Sequence, residues 1–300
     1  MVKSIYERQN DTAMLRCLVA QRAEYNRAKV ILKWKNRLTC VLAVLSIVAT
    51  WLNLDLLTAV SFLATVGISI AFKHMDKYID GIKKHAASIQ QYIDATLYSE
   101  VLETNLEIWG VLPTNSDLAE TAGFQDDAML ESVKNWYSDF SGLPAVQQVY
   151  NCQRENIRWD SRLRKSFSIF QIIIYFVVAG IAVMVAMWKN PELVQLICVL
   201  SWFMPIIDIA CTNYQVLNND IKRLEALHKE IEDSESVIKK GNLTESIDKL
   251  IAIQEKIKEN RENSYSIPEW FYQSCLSRFQ KQEDAIATAV QDIENDSSRK

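Results

Sequence analysis

Residues 166–188 read SFSIFQIIIYFVVAGIAVMVAMW, 23 residues without a charge. After Lys189-Asn190-Pro191-Glu192 the chain continues LVQLICVLSWFMPIIDIACTNYQVL over residues 193–217, where Asp208 is the single charge. A spanning helix needs about 17–25 mostly apolar residues, so both stretches qualify, and the short link folds them into a hairpin. Nearer the N-terminus the pattern repeats. Leu38–Leu54 and Leu56–Phe72 are each 17 residues without a charge, joined through Asn53-Leu54-Asp55. The expected fold class is an all-α membrane protein: four transmembrane helices in two hairpins, extended into a cytoplasmic helical domain.

Orientation follows from the basic residues. Arg22, Arg27, Lys29, Lys33, Lys35 and Arg37 precede the first span, and Lys73, Lys77, Lys83 and Lys84 follow the second. Arg154, Arg158, Arg162, Arg164 and Lys165 precede the third, and Lys222 and Arg223 follow the fourth. The hairpin tips hold only Lys189. Lys and Arg near span ends mark the cytoplasmic face, so both termini and the central segment are expected there.

The formal charge of −4 favours no partner class by itself. Seven Gly and five Pro disfavour sheet, tight turns and Gly-rich phosphate loops. Cys17, Cys40, Cys152, Cys198, Cys211 and Cys275 are scattered, with no Cys-x-x-Cys pair. That pattern fits unpaired thiols in a reducing compartment.

Five regions result: a cytoplasmic amphipathic helix over 1–37, hairpin 1 over 38–72, a stalk and cap over 73–165, hairpin 2 over 166–217, and a helical region over 218–300. In the first, Leu15, Leu18, Arg22, Tyr25, Lys29 and Leu32 share one partly polar stripe. In the stalk, Met75, Ile79, Ile82, Ala86, Ile89, Ile93 and Thr96 alternate steps of four and three, a seam for packing on another helix. The seam admits either packing within the chain or contact with a second copy. Gly110–Gly123 reads as a loop or cap, Asp126–Phe140 as a short helix carrying Trp136 and Tyr137. Pro144 is placed to start a helix that runs without a breaker into the third span.

Catalysis is poorly supported. His74, His85 and His228 are isolated from each other and from Cys or acid clusters at ligand spacing. No nucleophile elbow, Walker loop or dinucleotide fingerprint occurs. The chain is expected not to be an enzyme, with no catalytic residue, metal or cofactor. Asp208 is the sharpest single residue. A carboxylate inside a span costs about 2.5–3.5 kcal/mol on insertion scales. With Pro205 three residues before it, Asp208 is a pore-lining or gating candidate, or else an interfacial residue at the end of a shorter span. Arg154, Arg158 and Arg162 recur every four residues on one helix face beside Trp159. Such an array suits phosphates and a stacked base. The alternative is anchoring at the membrane edge and ion pairing with Glu155 and Asp160.

Three stretches carry a family resemblance. Glu7-Arg8-Gln9-Asn10, with Leu15, Ala20-Gln21-Arg22, Tyr25 and Ala28-Lys29, resembles the start of the S-4TM family. Cys152 to Arg164, reading CQRENIRWDSRLR, resembles its signature before the third span. Ile267-Pro268-Glu269-Trp270-Phe271-Tyr272 is similar to its C-terminal motif. The resemblance implies a four-span, pore-forming effector associated with second-messenger nucleotidyltransferases of bacterial anti-phage defence. The spans place the chain in the inner (plasma) membrane, and four spans in one chain are thin for an aqueous pore, so assembly as a homo-oligomer is expected. The expected partners are the lipid bilayer and a cyclic oligonucleotide from a partner nucleotidyltransferase, with no DNA. The competing expectation is a non-conducting membrane scaffold that holds partner proteins through its cytoplasmic helices.

Overall fold

In a computed structural model, the described residues are 3–52, 54–109, 127–188, 193–240 and 242–298. They form eight helices and no strand: α1 (Ile5–Arg8), α2 (Thr12–Trp51), α3 (Asp55–Val101), α4 (Asp127–Glu131), α5 (Ala145–Trp188), α6 (Leu193–Lys240), α7 (Leu243–Asn263) and α8 (Glu269–Ser298). A 3₁₀ turn, Leu106–Trp109, follows α3. The cap region over Gly110–Gly123 and the Lys189–Glu192 connector lie outside the described residues.

Local chemistry sets several boundaries. Ser4 and Glu7 form a reciprocal capping box at α1, satisfying two donors that a helix start leaves unpaired. Near its end α3 turns left-handed at Glu103, φ 53°, and Thr104 N–H donates to the Ser99 carbonyl at 2.8 Å, the closing bond of a Schellman-type stop. The Asn242 side chain accepts from Glu245 N–H and starts α7.

Two stretches depart from the sequence pattern together. The expected N-terminal helix breaks after Arg8 and restarts at Thr12, and the expected Asp126–Phe140 helix stops at Glu131. Side chains in the break supply the hydrogen bonds that a helix would have made. Gln9 Nε2 donates to the Tyr137 carbonyl at 2.9 Å and Gln9 Oε1 accepts from Tyr137 N–H at 2.7 Å. Asn10 Oδ1 accepts from Asn135 N–H at 3.0 Å. Gln9 is 1 % exposed, so its two bonds to Tyr137 are sheltered from water, while the Asn10 bond lies at the surface; together they fix the non-helical course of 132–140.

One buried cluster unites α1, α2, α3, α5, α6 and α7 around Leu18, Ile89, Ile93, Leu97, Tyr98, Ile157, Leu224 and Ile231. The stalk seam packs within the chain: Ile79, Ile82, Ala86, Ile89 and Ile93 are all buried. A second cluster joins α5, α6 and α8 through Leu163, Phe167, Leu217, Phe271, Cys275 and Phe279.

Beyond these cores the apolar surface changes character. Val41, Val44 and Val48 of α2, Leu56, Val60 and Leu63 of α3, and Ile173, Phe176 and Met184 of α5 are all exposed. Exposed large apolar residues recurring along three helices are the informative exception on a folded surface. Among the described residues, one helix, over Ala145–Ile181, is long and apolar enough to cross a membrane.

Candidate functional site

A cavity of about 710 Å³ lies where α2, α3, the 132–137 segment, α5, the end of α7 and the start of α8 converge. Its position follows from the chain's local rules. The stripe on α2 that buries Leu15 and Leu18 continues one turn later as Arg22, Tyr25 and Lys29, which line the cavity. On α5 the lining is Glu155, Asn156, Trp159, Asp160, Leu163 and Arg164. The turn before α8 delivers Tyr265 and Ile267, and its first turn Glu269 and Tyr272.

The wall is rich in cations, of two kinds. Arg261 and Arg164 are built into buried networks. Arg261 Nη1 donates to Asp94 at 2.7 Å, and Asp94 also accepts from Tyr137 Oη at 2.7 Å and Gln254 Nε2 at 3.0 Å. Arg164 donates to Asp160 at 3.0 Å, to Asp220 at 2.8 Å and to the Tyr265 carbonyl at 2.9 Å. The Asp94 and Asp220 side chains are 1 % and 0 % exposed. Stripping a partner from such a carboxylate costs about 3–5 kcal/mol, so these two arginines are structural in their present pairing.

Arg22 and Lys29 are the other kind. Lys29 Nζ donates to Glu269 at 2.7 Å and Arg22 approaches the same carboxylate at 3.6 Å. Both cations also lie over the Tyr272 ring, at 5.8 and 5.6 Å from its centroid. Their side chains and that of Glu269 are 21–34 % exposed, and pairs of that exposure are worth about 0–1 kcal/mol. Burial pushes the Glu269 carboxyl up. Hydrogen bonds from Lys29 and Gln273, with the Lys29 and Arg22 charges, outweigh it and hold the group below its ordinary range.

Other groups add to the polarity. Lys83 is 9 % exposed, and burial lowers its pKa against the pull of Asp80 and Asp220. Burial raises the Glu155 carboxyl to about 7, opposed by the Ser138 hydrogen bonds and reinforced by Glu283. Burial also raises the Tyr25 hydroxyl. Gln21 Oε1 and Arg261 Nη2 are buried polar atoms without a hydrogen-bond partner among the described residues, and both residues line the cavity. Both atoms are closed to solvent, so they sit behind the cavity surface and not on it. Trp159 packs on Tyr272 and Phe279 at ring distances of 5.2 and 5.7 Å, leaving an aromatic floor beside the cations. Among the described residues no cluster of His, Cys, Asp and Glu could hold a metal ion.

The candidates from sequence fall in two places. Trp159 lines the cavity. Arg158 and Arg162 point instead to α8, where both bind Glu283, itself 1 % exposed. Arg154 faces Glu232 of α6 at 3.7 Å, and its Nε is buried without a partner among the described residues. Asp208 is exposed on α6, and that helix runs through Pro205 without interruption. The cavity cations Arg22, Lys29, Lys83, Arg164 and Arg261 do not stand out by spacing, because they come from four helices distant in sequence. The signal that is present is the partly polar stripe of α2, where an apolar face switches to Arg22, Tyr25 and Lys29. All three stretches that carry the family resemblance meet at this cavity.

The family model described as SMODS-associating 4TM effector domain matches residues 3–293. A probable CBASS effector molecule of Bacillus cereus (strain VD146) is 26 % identical over 279 residues, covering 89 % of this chain and 91 % of the relative. No solved structure matches the chain.

Proposed function

This chain belongs to the SMODS-associating 4TM effector family, and on that premise we propose that it is a membrane-permeabilising effector of a bacterial anti-phage system, gated by a cyclic oligonucleotide from a partner nucleotidyltransferase. The observation that carries this is continuity. The helices that wall the cavity are the helices that bear the exposed apolar residues. Lys29 and Val48 share α2, and Arg164 and Phe176 share α5. A ligand that bears on the cavity wall therefore acts on the same rigid rods that would enter the bilayer.

In this proposal Leu38–Leu54, Leu56–Phe72, Ser166–Trp188 and Leu193–Leu217 are the four spans of an inner-membrane protein with both termini cytoplasmic. Exposed apolar side chains on α2, α3 and α5 support the assignment. The cavity offers cations and an aromatic floor, which suit a phosphodiester and a base. Four spans in one chain enclose too little space for an aqueous pore, so copies assemble. The ligand drives opening by binding the open form more tightly than the closed one. The chain works by binding and rearrangement, not by catalysis.

The test is dye release and membrane potential in liposomes holding the full-length protein, with a panel of cyclic di- and trinucleotides. Leakage on adding one member of the panel, and none without it, is the expected result. A tight bilayer with every nucleotide, for protein shown to be inserted, would reject the proposal.

A further inference from the structure

We infer that Glu269 is a latch, whose carboxylate holds the two cations that a ligand phosphodiester needs, Arg22 and Lys29, and is displaced when the ligand takes them. The inference rests on the cavity being the nucleotide site. It adds which cations accept the phosphate and what moves when they do.

Among the described residues, this is the cavity pairing whose exchange would untie two elements. Asp94 and Asp220 are fully buried, so releasing Arg261 would leave Asp94 without its cation, and releasing Arg164 would leave Asp220 with Arg223 and the Tyr265 N–H alone. Lys83 pairs with Asp80 and Lys134 with Glu131, each one turn away on its own segment, which ties no two elements together. Glu269 is 34 % exposed and can turn to solvent. It is also the first residue of α8 while its partners lie on α2. Arg22 and Lys29 are seven residues apart, on one face of the helix, so one phosphodiester can meet both. Both already lie against Tyr272, one turn beyond Glu269.

Displacement has a mechanical consequence. Glu269 ties the start of α8 to α2. The next residues, Trp270 and Phe271, pack on Phe170 and Phe167 of α5 at ring distances of 5.3 and 5.0 Å. The exposed apolar stretch of α5 begins at Ile169, within that contact. Untying Glu269 frees the first turn of α8 from α2 and shifts load onto α5.

A carboxylate at a helix start also favours the helix dipole, and a purely structural Glu269 would act through that alone. The two roles separate on ligand affinity. Binding of the cyclic di- and trinucleotide panel is measured on full-length protein in zwitterionic and in anionic nanodiscs, for wild type, Glu269→Gln, and the double variant Arg22→Ala with Lys29→Ala. Removing the competing carboxylate should tighten binding of the responding nucleotide about tenfold. The double variant should lose it. If Glu269→Gln fails to fold, Glu269→Asp, with its shorter reach, takes its place and should tighten binding about threefold. Affinity equal to or weaker than wild type in these variants overturns the latch and leaves the cavity assignment standing. Absence of nucleotide binding, or binding untouched by the double variant, overturns the cavity assignment and the latch with it. A gain for anionic lipid in place of nucleotide also overturns the inference.

Discussion

Arg158 of α5 grips Glu283 of α8 with Nε at 3.0 and 2.9 Å from its two carboxylate oxygens. Arg162 adds a second cation at 2.8 Å. Glu283 is 1 % exposed, and these two arginines are its ion-pair partners. Arg158→Ala should therefore destabilise the fold by about 3 kcal/mol, read as a lowered melting temperature in detergent. Replacing the pair, Arg158→Met with Glu283→Leu, should recover most of the loss, because no charge is then left buried. An unchanged melt in the single variant, with a lost nucleotide response, would instead make Arg158 a ligand contact.

Glu155 predicts a pH dependence. It accepts from Ser138 N–H and Oγ, lies close to Glu283, and has its carboxyl raised from 4.5 to about 7, chiefly by burial. The folded form then holds more protons than the unfolded form between those values. Stability from this group is full below pH 4.5 and is lost as pH rises through about 7. The loss is on the order of 3 kcal/mol. Glu155→Gln keeps an acceptor for Ser138 and should flatten the slope between pH 5 and 8. The difference between the two profiles isolates Glu155 from other titrating groups. Parallel profiles for wild type and variant would refute the assignment.

The helices are legible in the sequence because the chain has few breakers and long apolar runs. The departures have one cause: distant side chains override local pattern. Gln9 and Asn10 satisfy the backbone of Tyr137 and Asn135 from the far end of the sequence, which no window around residue 135 could show. The arginine ladder is visible, but its partners are not. Spacing offers Glu155 and Asp160, whereas docking of α5 supplies Glu232 and Glu283. Asp160 does pair locally, with Arg164 one turn on. The cavity is half-legible. The polar steps in the α2 stripe mark one wall, and its other walls depend on how four helices pack.

Topology gives a third expectation. Cys152 and Cys275 are buried and would resist a thiol reagent on either side of a membrane. Introduced cysteines report better. Asn53→Cys, at the proposed first hairpin tip, should react with an impermeant maleimide in intact cells. Lys281→Cys, exposed on α8, should react only after the cells are opened. Labelling of Lys281→Cys from outside would reverse the proposed orientation.

Asp208 separates two versions of the fourth proposed span. It is exposed on α6, as is its neighbour Ile207. If it lines a pore made by several copies, Asp208→Asn should lower cation preference in liposomes without loss of insertion, since rings of carboxylates select cations. Reversal potentials in a salt gradient measure this. Identical values in wild type and variant place Asp208 at the interface.

The two classes of cavity cation predict opposite phenotypes. Arg22 and Lys29 sit in half-exposed pairs, so Arg22→Ala with Lys29→Ala should cost no more than about 1 kcal/mol of stability per pair. The same variant should abolish nucleotide-dependent leakage, because it removes the positive charge that can be given to a phosphate. Arg261→Met should do the reverse first. It leaves Asp94 buried, with only Tyr137 and Gln254 to donate to it, and should lower stability by about 3 kcal/mol or more. Adding Asp94→Leu should restore part of that stability, though it also leaves the Tyr137 hydroxyl without its acceptor. Thermal melts and leakage assays on one set of preparations separate the cases. Folded protein without response is expected for the α2 pair, and unstable protein for Arg261. If the α2 double variant melts far below wild type while responding at whatever temperature it stays folded, Arg22 and Lys29 are scaffold, and the phosphate must be held by another part of the wall.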